Sequence, residues 1–135
     1  MGTLALIRSG LKTRLDTRVS AYANWPDTIN TPCALVKPAS QQFHQTSGGL
    51  SSSRISFEVT LLAAPIDAGL DDAQSLLDSY LDESGTASIK AALEADPTLS
   101  GVVSDLIVRG WKGYGSRAVN GVEYLGATFD VEVIL

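Results

Sequence analysis

Apolar residues near the start of the chain recur at steps of three and four. The recurring positions are Leu4, Ile7, Leu11 and Leu15. This spacing predicts an amphipathic helix over about residues 3–18. Arg8 and Lys12 lie along one edge of the apolar stripe, and Arg14 lies along the other. The chain therefore begins with a basic helix whose apolar side needs a partner.

Alternating apolar and polar residues predict strands further along. The strict alternation begins with Ile55, Phe57, Val59 and Leu61, and it returns in residues 122–135. Residues 33–37 lie between Pro32 and Pro38 and predict a short strand whose prolines mark its ends or a sheet edge. Residues 102–111 predict another strand, the third in chain order. Residues 113–120 would join it to the last strand, with a turn at Asn120-Gly121.

Two shorter helices are predicted between the second and third strands. Residues 70–81 carry apolar residues on one side and open with Asp71-Asp72, which suits the first turn of a helix. Residues 87–95 predict another helix that stops before Pro97. The order predicts one α+β domain over residues 1–135, with a mixed or mainly antiparallel sheet. The N-terminal helix and the two central helices would pack on one face, with Phe57 and Phe129 in the core beneath Leu77 and Leu81.

Residues 39–53 are polar and rich in Gly and Ser. A loop of this length in a small domain is usually functional or disordered, and an extended hairpin arm is the alternative. We expect this segment to become ordered against a neighbouring subunit. Phe43, His44 and Leu50 are its candidate contact residues, and Arg8, Lys12 and Arg14 are the candidates on the first helix.

Charge is distributed unevenly along the chain. Residues 1–54 hold six bases and two acids, whereas residues 55–135 hold four bases and thirteen acids, within a net charge of −5. Two interpretations stay open. The charges either cover two solvated faces or make a bipolar subunit whose basic edge meets the acidic edge of the next copy.

Groups that could perform chemistry are sparse. His44 and Cys33 are the only histidine and cysteine, and two ligands do not make a metal site. Ser9 to Lys12 matches a serine-nucleophile spacing, but its companion motifs are missing. The glycine-rich stretch from Gly110 lies between strands, where a phosphate loop would need a following helix. Neither a catalytic residue nor a metal or cofactor site is predicted.

The sequence also limits the partners. The acidic net charge argues against tight sequence-specific binding of nucleic acid, though not against transient contact with passing DNA. No apolar run approaches the ~18 residues needed to span a bilayer. Basic residues interrupt the N-terminal apolar positions, so a secretory signal is not predicted and a cytosolic origin is expected.

Several phrases, in their joint order, resemble tail terminator proteins of long-tailed bacteriophages. The phrases are Trp25-Pro26-Asp27, Phe57-Glu58-Val59-Thr60-Leu61-Leu62, Ala73-Gln74-Ser75-Leu76-Leu77-Asp78-Ser79-Tyr80-Leu81, Ser84-Gly85 followed by Ser88-Ile89-Lys90-Ala91-Ala92-Leu93, Leu99-Ser100-Gly101-Val102-Val103, and Tyr124-Leu125-Gly126. Together they span nearly the whole chain, and most are packing or turn residues.

The resemblance implies a structural virion protein without catalytic residues. It implies a homo-oligomeric ring, six-fold in that family, which caps the tail tube, stops its polymerisation and joins the tail to the head. The implied partners are other copies of the chain, the major tail tube protein and the head-completion proteins of the neck, with assembly in the host cytoplasm. The tail tube is then the alternative to a neighbouring subunit as the partner of residues 39–53. A head-completion or stopper protein is the alternative, and a small ligand-binding or enzymatic domain is the second alternative.

Overall fold

The computed structural model describes residues 3–22, 29–42, 54–66, 70–119 and 121–134. Their helices and strands are α1 (Thr3–Leu15), β1 (Ser20–Tyr22), β2 (Cys33–Gln42), β3 (Arg54–Pro65), α2 (Leu70–Leu81), α3 (Ile89–Glu94), β4 (Asp105–Val119) and β5 (Val122–Ile134). The described strands form one five-stranded sheet in the order β1-β2-β3-β5-β4. Strand β1 runs parallel to β2, and the other neighbours are antiparallel. The predicted α+β class with a mixed sheet is confirmed.

The main core lies between the helices and one face of the sheet. Alternate residues of β3 are buried there, as the sequence predicts, because successive side chains of a strand point to opposite faces. Phe57, Phe129 and Leu77 are buried in this one cluster, and Leu81 packs against it. The predicted common core beneath α2 is therefore confirmed. Buried residues of α1, α2 and α3 all join the same cluster.

A second, smaller cluster lies on the opposite face of the sheet. Its buried members are Cys33, Leu35, Leu62, Val119 and Tyr124, with Tyr22 and Ile29 packed partly against them. Because Leu61 faces the main core and Leu62 faces this cluster, both are buried although they are neighbours in sequence. One end of the sheet is thus covered on both faces.

Strand β2 is longer than the sequence predicts. It continues through Pro38 to Gln42, so the prediction of a loop that begins at residue 39 is wrong. Residues 40–42 pair with β3, which agrees with the alternative of an extended hairpin. Pro38 is tolerated because it lies beyond Leu35, the last partner of β1, and beside a register shift in the pairing with β3. Gln42 pairs with Arg54. Residues 43–53 of the predicted loop lie outside the described residues.

Strand β4 also extends beyond its predicted bounds. It runs from Asp105 to Val119, so most of the segment expected to join two strands is itself strand. Register shifts after Val108 and Lys112 accommodate the glycines of this stretch. Val119 pairs with Val122, so two residues separate the paired strands, as the predicted turn requires. Gly121 has a positive φ of +81°, which such a turn favours.

Candidate assembly surfaces

The three predicted bases of α1 have different surroundings. Arg14 donates a hydrogen bond from Nε to the carbonyl oxygen of Ala92 at 3.0 Å, which ties α1 to α3. Lys12 forms an ion pair with Asp16 at 2.6 Å, and both side chains are largely exposed. Arg8 is half-buried, and its Nε is a buried donor without a hydrogen-bond partner in the described part of the chain. The structure therefore assigns Arg14 to an internal junction.

Arg8 and Lys12 lie on the side of α1 that faces away from α3. Gly10 marks the opposite side, because a Cβ built on it would lie 3.1 Å from Cβ of Leu99, in the turn that follows α3. Each helical residue advances by about 100°, so residues two before and two after Gly10 lie roughly 160° away from it. Helix α1 packs on β1 and β2. Arg8 and Lys12 thus form a basic edge at the β1 end of the sheet.

An open notch lies at the other end of the sheet, beside β4. It is lined by Trp111 and Tyr114 of β4 and by Asp78, Leu81 and Asp82 of α2 and its C-terminal end, and its volume is about 340 Å³. The Trp111 and Tyr114 rings are 48% and 38% exposed, with their centroids 6.1 Å apart at an angle of 54°. The Tyr114 hydroxyl donates a hydrogen bond to Oδ1 of Asp78 at 2.9 Å.

The register of β4 places Trp111 in this notch. Trp111 pairs with Phe129, so its ring is on the helix side of the sheet. Because β4 is the outer strand, the ring lies past the helices and stays half-exposed. The sequence places Trp111 at the end of a predicted strand and Tyr114 in a predicted connection, so neither residue is predicted as a contact residue. Leu106 and Val108 are two residues apart, and Trp111 continues this apolar series once the bulge after Val108 is counted. This pattern could have predicted that Trp111 is on the helix side of the sheet.

The notch has a negative electrostatic character. Asp78 lies in the last turn of α2, which contains no base, and Asp82 follows it. The C-terminal end of a helix carries partial negative charge, so acids there add to that charge instead of offsetting it. Burial, together with the hydrogen bond and charge of Asp78, raises the pKa of Tyr114 above its usual value. A cation is the group that this site would favour.

The sheet face away from the helices carries charges that are mostly paired. Glu132 accepts from Arg54 at 2.8 Å and from Arg109 at 3.2 Å. Lys112 lies 3.3 Å from Asp130 and 3.5 Å from Glu58, and the hydrogen bond to Asp130 leads the effects that raise its pKa. Exposed pairs of this kind add little stability. Their effect here is to balance charge across the face.

A third exposed feature is apolar. Leu6 of α1 and Val102 of the turn before β4 line a shallow groove beside Gly10 and Leu99. Leu6 is 42% exposed and Val102 is 37% exposed. Arg14 and Asp96 also line the groove. Because their charges are opposite, the groove favours neither an acidic nor a basic partner.

Phe43, His44 and Leu50 lie outside the described residues, so their predicted contacts stay predictions. Within the described ranges, no three His, Cys, Asp or Glu side chains are grouped so as to hold a metal ion. None of the helices described is both long and apolar enough to cross a membrane. The chain matches no model of a known protein family, and a search of curated proteins also gives no match.

Proposed function

We propose that this chain is the tail terminator of a long-tailed bacteriophage, a structural subunit that assembles into a ring on the end of the tail tube. The ring stops polymerisation of the major tail tube protein and provides the surface that joins the tail to the head-completion proteins. The observation that carries this proposal is that opposite edges of one sheet bear unlike and complementary surfaces.

A closed ring of identical subunits needs two different patches on each copy. One patch of a subunit meets the other patch of its neighbour, and the contact closes when the rotation between copies divides a full turn. Here the basic edge on α1 lies at the β1 end and the acidic notch at the β4 end. Four strand spacings separate β1 from β4, which is about 19 Å. This distance keeps the two patches apart within one molecule and leaves both available to neighbours.

Trp25-Pro26-Asp27 lies outside the described residues, whereas the longer phrases that resemble tail terminators lie in the framework of the fold. Residues 57–62 form the middle of β3, which pairs on both sides, and residues 73–81 form most of α2. Residues 124–126 lie in β5, where Gly126 closely approaches the backbone of β3. The resemblance therefore concerns residues that build the sheet and its helical cover. It supports a shared framework, and the two edges supply the argument for assembly.

Deletion of this chain from its parent phage tests the function. A terminator limits tail length, so its loss should give tubes of uncontrolled length together with filled heads that carry no tails. Electron microscopy of the lysate measures both, and expression of the intact chain from a plasmid should restore normal particles. Tails of normal length beside heads that lose their DNA would indicate a stopper instead. Normal, infectious particles without the chain would contradict both neck assignments.

Localisation of the chain in the assembled particle is a second test of the proposal. Density for this chain should appear as a ring at the head-proximal end of the tail tube, with adjacent copies in head-to-tail contact. A chain found as an isolated monomer in the assembled virion, or at the distal tip, would contradict the proposal.

A further inference from the structure

We propose that the notch of Trp111, Tyr114, Asp78 and Asp82 is the docking site for the basic edge of a second copy of this chain. Arg8 of that copy inserts its guanidinium beside the two aromatic rings. Lys12, which pairs with Asp16 in the free chain, turns to the carboxylates of the notch. This inference rests on the proposed ring function and identifies the two surfaces that meet in it.

The notch has the chemistry that recognises a guanidinium or ammonium group. The faces of Trp and Tyr rings attract cations, and Trp is the strongest of the aromatic residues in this respect. Carboxylates of Asp78 and Asp82 lie beside the rings, and the hydrogen bond from Tyr114 holds the Asp78 carboxylate in place. Half-exposed Trp and Tyr side chains are also the types that dominate binding energy when an interface covers them.

The described bases of the chain that are not paired internally are the candidates for the occupant. Among the described residues, the bases outside any ion pair and outside the Arg14 junction are Arg8, Arg18, Lys37 and Arg117. Lys37 and Arg117 line the sheet face away from the helices. Arg8 belongs to α1, on the helix side of the sheet, which is also the side that Trp111 and α2 occupy. A neighbour can therefore present α1 to the notch without turning over.

A further feature of α1 fits this contact. Leu4 is one helical turn before Arg8 and is 37% exposed. Residues four apart lie side by side on a helix, so Leu4 can cover the Trp111 ring when Arg8 enters the notch.

Covalent trapping in the assembled particle tests this contact. Leu4→Cys places a thiol beside the basic edge, and Ser75→Cys places one beside the notch, because Ser75 is one helical turn before Asp78. Neither substitution changes a charge of the contact. Particles completed by the double variant should give, after mild oxidation, a ladder of linked chains on a non-reducing gel. Each single variant should give none, and Cys33 does not interfere because it is buried. The matched control is the double variant of Leu4→Cys with Val122→Cys, because Val122 is also exposed but lies at the turn end of the β4–β5 hairpin.

Charge reversal gives the second readout. Asp82→Lys in the double variant should lower the yield of linked chains at least tenfold, and adding Lys12→Glu should restore most of it. Both positions are exposed, so folding should survive, and circular dichroism of each purified variant checks this. If the double variant fails to complete particles, co-expression of the two single variants provides the same thiol pair across neighbouring copies.

The failure of this inference can be distinguished from the failure of the function. Deletion of the chain could give overlong tails while the Leu4→Cys/Ser75→Cys variant gives a ladder no stronger than that of the Val122 control. That pair of results would overturn the contact and leave the terminator role intact. A link from position 75 to the tail tube protein instead of to a copy of the chain would also overturn it. A full ladder that charge reversal leaves unchanged would contradict the electrostatic basis of the docking.

Discussion

Gly126 of β5 lies directly against the backbone of Leu61 in β3. A Cβ built on Gly126 would stand 2.1 Å from the carbonyl oxygen of Leu61, far closer than real Cβ atoms approach other atoms. Strand β3 pairs with β2 on one side and β5 on the other, so its backbone has little freedom to withdraw. Glycine is required here for close approach between strands, and the register shift after Leu62 lies at the same place.

We expect Gly126→Ala to lower the free energy of unfolding by about 2–4 kcal/mol, because the methyl group must displace a backbone that is paired on both sides. Urea unfolding followed by circular dichroism measures the loss. Ser56→Ala, a small change on the same β3–β5 ladder, should stay within about 1 kcal/mol. A wild-type midpoint for Gly126→Ala would mean that the two strands are further apart than described.

The two large aromatic side chains of the main core provide a second prediction. Phe57 and Phe129 are 1% and 2% exposed, and each is on the helix side of its strand. Truncation of either to Ala should cost about 3–5 kcal/mol, from the lost burial and the cavity left behind. Leu6→Ala is the control, since Leu6 is 42% exposed and should change stability little. Thermal melting distinguishes these outcomes. Equal melting temperatures for all three variants would show that Phe57 and Phe129 do not face the core.

Ser88 connects the end of α2 to the start of α3. Its hydroxyl accepts a hydrogen bond from the amide of Ala91 at 3.1 Å and donates one to the carbonyl of Asp82 at 2.6 Å. The residue is fully buried, so Ser88→Ala leaves both groups without a partner and should cost about 1–3 kcal/mol.

Ser79 supplies the matched control for this capping interaction. Its hydroxyl donates only to the carbonyl of Leu76 within α2, and Ala is the better helix former. Ser79→Ala should therefore change the free energy of unfolding by less than about 0.5 kcal/mol. Chemical denaturation of the two variants side by side gives the comparison. Equal losses for both would show that Ser88 contributes no more than a partly buried serine within a helix.

Elements with one buried face were predictable from the sequence. In β3 the alternation of Ile55, Phe57 and Val59 with polar residues fixes which side faces the core, and α2 shows the matching three-and-four spacing. Short or glycine-rich strands were not. Strand β1 has three residues, too few to show a period. The second half of β4 lies at the sheet edge, where most of its residues are exposed, and register shifts interrupt its pairing. Its sequence therefore lacks the regular alternation that predicts a strand.

The candidate surfaces were predictable only in part. Sequence identifies bases on α1, but the role of Arg14 depends on α3 lying beside it, since its partner Ala92 is 78 residues away. The notch likewise depends on a contact between distant elements, because Tyr114 and Asp78 are 36 residues apart. A pattern of residue types gives the sign of a charge and the phase of an element. Which side chains meet across elements follows from the tertiary packing.

Cys33 should make stability depend on pH in the alkaline range. It is buried in the smaller cluster, and burial raises the pKa of its thiol from 9.0 to about 11. The folded chain therefore keeps a proton that the unfolded chain loses above pH 9. The resulting stability is complete below pH 9 and falls as the pH rises towards 11, by up to about 3 kcal/mol.

Urea midpoints between pH 8 and pH 11, for the intact chain and for Cys33→Ala, measure this contribution. Burial also raises the pKa of Tyr80, but Tyr80 is present in both chains, so the difference between their pH slopes isolates the thiol. The intact chain should lose stability more steeply above pH 9, and its thiol at pH 8 should react with Ellman's reagent only as fast as the protein opens. Parallel slopes, or immediate reaction of the folded protein, would show that Cys33 is accessible to solvent.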